Sequence, residues 1–373
     1  MSDQKPVVVY GASGYTGRLV CEYLREYNIP FVAAGRSGPK TEKVMEGLPG
    51  VETADYEVVE VEHTVEALTD LFKGAKVVCN MVGPFMYFGT ETVEAALAAG
   101  CNYLDTTGEQ DWVLKCKTEW GQKFADKGLV IAPNIAQMFT NGEIAAELAL
   151  ETPGVDTLDM LVMWKGQPTI ASTASIFSTL KADWFYLEDD QYVMWDPKAS
   201  FDVPVPGQHT QALTIPWGGT AHPIWFKDDP RVRNVKCIGA VSDRGVMEAV
   251  IATKTHIDDQ IKTLPADQQD AALAEVAKQF QAAMPPRERT LYNTTLDSVH
   301  GSGPMARVHV VLHGNSNYKQ TALQQVWLAR NLLNARPRRA GFSSACQAYD
   351  YRSLLGTLQA FGLMGKPQVT VNS

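Results

Sequence analysis

The 373-residue sequence holds six cysteines, but no CxxC pair and no spacing that would ligate a metal. No metal site is therefore expected, and buried thiols in a reducing, cytoplasmic setting are the simpler reading. An excess of positive charge is also missing. The net charge is −9, which argues against a nucleic-acid partner, because phosphate backbones select a basic face. Arg336 to Arg339 is a short patch that reads as a solvated loop. No apolar run reaches the roughly 20 residues of a membrane-spanning helix. Asp3 and Lys5 run straight into a strand, so no signal peptide is expected. The Gly-x-Ser-x-Gly elbow of serine hydrolases is absent. His309 and His313 are four apart, but they fall on a strand and its exit, so the helical HExxH geometry is missing too.

What is present begins at residue 7. Val7-Val8-Val9-Tyr10 is a β-branched strand, and Gly11-Ala12-Ser13-Gly14-Tyr15-Thr16-Gly17 follows with glycines three apart. An apolar-periodic helix comes next, through Leu19, Val20, Tyr23 and Leu24. This is the strand, turn and helix N-terminus of a dinucleotide-binding unit. Gly11 allows the sharp turn, Gly14 lets backbone approach a pyrophosphate, and Gly17 lets helix and strand pack. Gly11, Ser13, Gly14, Tyr15, Thr16 and Gly17 are the cofactor-binding candidates of this turn. A second strand, Pro30 to Ala34, ends at Gly35-Arg36-Ser37. An acidic residue there would accept from the ribose 2′-OH of NAD. Arg36 with Ser37 suits a 2′-phosphate instead, so NADP is preferred over NAD.

Strands at 56–61, 76–82, 102–105 and 129–132 alternate with helical patterns, which predicts an α/β fold with a doubly wound parallel sheet. Ligands then lie at the carboxyl ends of the strands. Val82, Gly83, Pro84 and Phe85 end the fourth strand and are expected beside the nicotinamide, with Tyr87 the nearest proton donor. Thr107 ends the next strand and joins the cofactor set.

The motifs at 11–18, 34–37 and 82–85, with Tyr-Leu-Asp-Thr-Thr-Gly-Glu at 103–109, resemble the saccharopine dehydrogenase-like family. The resemblance is closest to its branch of trans-acting enoyl reductases and saccharopine reductase-like oxidoreductases, and it covers about the first 135 residues. It implies a Rossmann domain plus a second α+β domain, whose mostly antiparallel sheet supports substrate binding and contacts in a homodimer.

The expected domains are therefore 1–135, binding NADP, and 136–339, binding substrate and forming the dimer. Residues 340–373 pack back on the first. In the second half, strands are predicted at 157–165, 235–240, 246–255 and 307–313. Helices are predicted at 139–150, 172–184, 267–284, 320–333 and 351–361. Residues 192–227 read as a long, proline-stiffened loop carrying Trp195, Trp217 and Trp225, suited to cover the nicotinamide crevice. His222 in that segment is the second proton-donor candidate, against the simpler reading of an ordinarily exposed loop histidine. The Trp and Phe residues of this half suggest an apolar or aromatic small-molecule substrate, though core packing accounts for part of them. The expected activity is hydride transfer between nicotinamide and an unsaturated carbon, C=C, C=O or C=N. Two alternatives stand beside it: an NADP-binding redox sensor and an assembly subunit, both without turnover.

Overall fold

The computed structural model describes residues 4–217, 220–280 and 283–372. The chain divides into two compact units. The first takes Met1–Thr107, Asp111–Thr140 and Tyr318–Ala360; the second takes Gly108–Gln110, Asn141–Asn317 and Phe361–Ser373.

In the first unit, β1 (Val7–Tyr10), β2 (Phe31–Gly35), β3 (Tyr56–Glu60), β4 (Val77–Asn80), β5 (Asn102–Asp105) and β6 (Val130–Ala132) form a parallel sheet. The spatial order is β6-β5-β4-β1-β2-β3, with a two-residue strand, Gly341–Phe342, added beyond β6. The order reverses at β1, which lies between β2 and β4. Crevices that take ligands open at such a reversal. All four β1 residues are fully buried, as expected of a central strand with both faces covered. Helix α1 (Tyr15–Glu26) buries Leu19, Val20 and Leu24.

The segment between β2 and β3, expected to be a linker, forms helix α2 (Gly38–Glu46), with Ser37 as its N-cap accepting from the Lys40 N–H. Helix α3 (Val65–Phe72) is capped by Thr64. Helix α4 (Phe85–Ala99) starts directly after a cis Gly83–Pro84 bond, six residues earlier than its periodicity suggests.

The second unit is built on a mixed, mostly antiparallel sheet. Its strands are β7 (Thr157–Trp164), β8 (Phe185–Glu188), β9 (Gln191–Met194), β10 (Phe201–Pro204), β11 (Gln211–Pro216), β12 (Asn234–Val241), β13 (Thr294–Ser302), β14 (Arg307–Asn315) and a last strand, Gln368–Asn372. Within this sheet only the β7–β12 pair is parallel among the described strands. Helices Ile170–Lys181, Arg244–His256 and Ala266–Lys278 cover one face, with Phe177, Met247 and Leu273 packed on Leu161, Met163 and Val311.

Several expectations are corrected here. Residues 246–255 are helical, because Asp243 caps the segment and Met247, Val250, Ile251 and Lys254 recur at helical spacing. Residues 192–227 carry β10, β11 and the short helix His222–Phe226 rather than one long loop. Gly218 and Gly219 of that segment lie outside the described residues, as do Gln281 and Ala282 of the helix expected to reach 284. β13 was not anticipated.

A buried carboxylate fastens the carboxyl edge of the first sheet. Asp105 is fully buried, and its Oδ1 accepts from the Thr107 and Asn134 N–H groups, each at 2.9 Å. Its Oδ2 accepts from the Tyr103 hydroxyl at 2.8 Å and the Trp112 indole N–H at 2.9 Å. Burial pushes this carboxyl above its ordinary range, and the four donors pull it back. Asn80, ending β4, donates to Tyr103 at 3.1 Å and accepts the Val82 N–H at 3.0 Å. Trp112 in turn lies against Gly89 of α4, where a Cβ would fall 2.3 Å from the indole ring. Asp105→Asn turns an amide N–H toward donors on one side or the other. It should lower the unfolding free energy by about 1–3 kcal/mol, the cost of an unsatisfied buried group, measured by urea denaturation. An unchanged midpoint would show that the network carries little weight.

Candidate cofactor site

The turn after β1 is shaped by its glycines. Gly11 has φ of +89°, and a Cβ there would fall 2.9 Å from the Val82 side chain, so this turn and the loop after β4 touch. Gly17 allows an equally close approach, since its Cβ would lie 2.3 Å from the Gly11 carbonyl. Gly14 is exposed and caps α1 without any side-chain acceptor; the first intrahelical bond runs from the Arg18 N–H to its carbonyl at 3.0 Å. The positive end of the helix dipole therefore faces outward behind a side-chain-free turn, the arrangement that receives a phosphate. Ser13 and Thr16 are half-buried beside it. The Tyr15 side chain points elsewhere, buried edge-on against Tyr318 at 5.1 Å and under Arg18, so only its backbone is available to a ligand.

At the end of β2, Arg36 and Ser37 are exposed. Among the described residues Arg36 makes no hydrogen bond or ion pair; its charge is felt by the Tyr10 hydroxyl. Ser37 is engaged as the α2 cap, and the Gly38 N–H is taken by Glu60 at 2.6 Å. The Arg36 guanidinium is thus the group left for an anion.

Val82, Gly83 and Pro84 are half-buried after β4, and Phe85 is buried in the first turn of α4. Tyr87 and Phe88, expected in a loop, lie within α4, with Tyr87 49% exposed. Thr107 is fully buried, its N–H on Asp105 and its carbonyl accepting from the Asn134 amide at 2.5 Å.

His222, expected as an exposed loop histidine, opens a five-residue helix and is fully buried. Its Nδ1 meets the Thr220 hydroxyl, its ring stands edge-on to Trp225 at 5.5 Å, and Gly142 backbone closes over it. Those contacts describe a packed core group. Phe177, Trp184 and Trp225 are likewise buried, and Trp217 lies over Gly239 of β12. Phe177 and Trp184 belong to the core of the second unit, the packing role that accounts for part of these aromatics.

The His309 imidazole bonds the Ser298 hydroxyl at 2.8 Å and stacks on His300 at 3.9 Å. No group of three or more potential ligands that could hold a metal occurs among the described residues. All six cysteines are buried, and burial pushes the Cys101 thiol up to about 11 and the Cys79 thiol up to about 12.

Residues 140–373, more than half of the chain, match a family of unknown function, DUF5938. The chain belongs to that family. In this DUF5938 protein, residues 7–128 match the saccharopine dehydrogenase NADP binding domain, so the resemblance read from the motifs stands and NADP is the cofactor. A lipid droplet localized protein of Caenorhabditis elegans is 32% identical over 133 residues, covering 34% of this chain and 31% of that protein. The human saccharopine dehydrogenase-like oxidoreductase is 30% identical over 146 residues, covering 35% of this chain and 34% of that protein. The matched region thus spans about a third of these relatives. Apo saccharopine dehydrogenase (L-Glu forming) of Saccharomyces cerevisiae shares the fold, with a TM-score of 0.60 at 11% identity, over 98% of this chain and 100% of that one. No helix among the described residues is long and apolar enough to cross a membrane.

Gly14 has an extended backbone that other residues adopt, and its Cβ would meet only the Gly11 carbonyl at 3.2 Å. Gly14→Val should therefore leave the thermal midpoint nearly unchanged and abolish cofactor binding by filling the phosphate cradle. Titration with NADPH checks this, and wild-type affinity would show that the turn is not the cradle.

Proposed function

We propose that this chain is an NADP-dependent oxidoreductase that transfers a hydride between the nicotinamide and an unsaturated carbon, C=C, C=O or C=N, of a small organic molecule. One observation carries the reading: an uncapped helix start behind a glycine turn at the point where strand order reverses, with an unengaged Arg36 at the next strand end. Residues 1–135 are then the NADP-binding domain, and 136–339 supply the substrate site and the homodimer contacts.

NADP(H) supplies hydride chemistry at its nicotinamide C4 when bound. The chain's own groups bind and orient it. Backbone N–H groups of Ser13, Tyr15 and Thr16 and the dipole of α1 receive the pyrophosphate. Arg36 pairs with the 2′-phosphate, beside Ser37. Val82, Gly83, Pro84 and Phe85 bound the nicotinamide half, and Thr107 backs them through Asp105. The Tyr87 hydroxyl gives its proton to the substrate atom that becomes basic as hydride adds. His222 is kept as the alternative donor only if its buried segment opens.

The homodimer is checked by light scattering. The cytoplasmic location is checked by fractionation; recovery with lipid droplets would place the chain in the setting of its nematode relative.

Arg36→Ala should weaken NADPH binding by about 1.5–3 kcal/mol, the worth of a charge-assisted contact, and leave NADH binding nearly unchanged. Equal weakening of both cofactors would make Arg36 structural. Single-turnover oxidation of bound NADPH by a panel of enones, ketones and imines tests for turnover. With the substrate so found, Tyr87→Phe should lower kcat while NADPH affinity stays intact. Unchanged kcat would remove Tyr87 as the donor, and no oxidation by any of the panel would favour a sensor or assembly role.

A further inference from the structure

Beside the expected 2′-phosphate position lies a set of polar groups that the proposed reaction does not use. The Tyr10 hydroxyl, at the end of β1, bonds His63 Nδ1 at 2.8 Å, and the two rings are stacked within 4° of parallel at 5.9 Å. On its other side, His63 Nε2 lies 3.4 Å from Glu91 Oε2 of α4, and the edge of Phe88 meets the ring at 5.7 Å. Nε2 and Oε2 are both buried without a well-formed hydrogen bond, so the two atoms face each other with the link between them unmade. Tyr10 is fully buried, and three influences act on its hydroxyl: burial raises it, the Arg36 charge lowers it and the Glu91 charge raises it. Tyr10 lies opposite Ala34 in the β1–β2 register, two residues before Arg36, so Arg36, Tyr10, His63 and Glu91 gather at the carboxyl ends of β1 and β2, the segment after β3, and α4. Glu60, at the end of β3, is turned to the Gly38 N–H.

We propose that His63 is a positioning residue for 2′-phosphate recognition, taking up a proton from solvent as the phosphate docks on Arg36. The reason is charge. With a neutral imidazole, the Glu91 carboxylate is an uncompensated negative charge near a site that must receive a phosphate. With an imidazolium, that charge is cancelled across the 3.4 Å His63–Glu91 pair. Histidine is the side chain that makes this change near neutral pH. NADH brings no phosphate to Arg36, so its binding should not draw on the same proton. The inference rests on the reading of Arg36 as the 2′-phosphate residue.

The test compares dissociation constants for NADPH and NADH at pH 6.5 and 8.5 in the wild type, His63→Gln and Glu91→Gln. In the wild type the preference for NADPH over NADH should be about fivefold larger at pH 6.5 than at pH 8.5. In His63→Gln the wild-type fall toward pH 8.5 should be absent, leaving only the slight rise given by the phosphate's own ionisation. In Glu91→Gln the preference at pH 8.5 should be as strong as that of the wild type at pH 6.5. The phosphate's own second ionisation, near about 6, acts in the opposite direction and is common to all three proteins.

A wild-type profile retained in His63→Gln overturns the proposal, as does a wild-type preference that does not change with pH. Should His63→Gln lose both cofactors, the Glu91→Gln arm decides: a preference at pH 8.5 no stronger than the wild type's at that pH overturns it. Arg36→Ala separates the two levels. If it leaves the NADPH preference intact, the underlying Arg36 reading fails. If it removes the preference while His63→Gln keeps the wild-type profile, Arg36 stands and the role of His63 falls.

Discussion

The geometry of the first unit depends on one fully buried carboxylate. Asp105 meets two backbone N–H groups, a phenol and an indole, and each donor belongs to a different piece of the carboxyl edge. Thr107 is the turn leaving β5, Asn134 follows β6, Tyr103 leads through Asn80 to the end of β4, and Trp112 abuts α4 through Gly89. The carboxylate therefore sets where three strand ends and one helix stand. A buried charge is costly unless fully paired, so a shift of any one donor is resisted by the same energy that holds the others. The loop that bounds the nicotinamide half of the proposed site is placed by this network and has little freedom of its own.

Much of this unit is legible in the sequence because its signals are local. The Val7–Tyr10 run, three glycines at fixed spacing and Arg36 after the next strand each carry their meaning within a few residues. The spacing of Asp105 and Thr107 also reads locally, as a side chain capping its own turn. What the sequence could not give is the convergence on Asp105 of Trp112 and Asn134, which no short-range pattern records. The start of α4 is masked in the sequence by Gly83 and Pro84, which read as loop, although Pro84 serves as a helix N-cap.

The second unit was less legible for a physical reason. β13 sits in the middle of its sheet, yet Thr-Thr-Leu-Asp-Ser-Val-His-Gly-Ser contains only two aliphatic residues. Two of its buried polar side chains are bonded from other elements: Asp297 by the Asn141 amide at 3.1 Å, and Ser298 by His309. A strand whose burial is settled by partners far along the chain leaves no alternation to read. Residues 246–255 failed in the opposite way. Val and Ile suggested a strand, while the Asp243 cap and the spacing of Met247, Val250 and Ile251 selected a helix.

The interleaving of the two units has a consequence for biosynthesis. The sheet that carries the glycine turn takes its seventh strand from Gly341–Phe342, and its unit also claims Tyr318–Ala360. The second sheet is in turn completed by Gln368–Asn372, paired with β14. A ribosome that has released the first 135 residues has not released a complete nucleotide-binding unit, because the closing pieces arrive only after the whole of 141–317. Both sheets therefore reach their full complement of strands only after residue 340, and neither unit can be excised by a single cut.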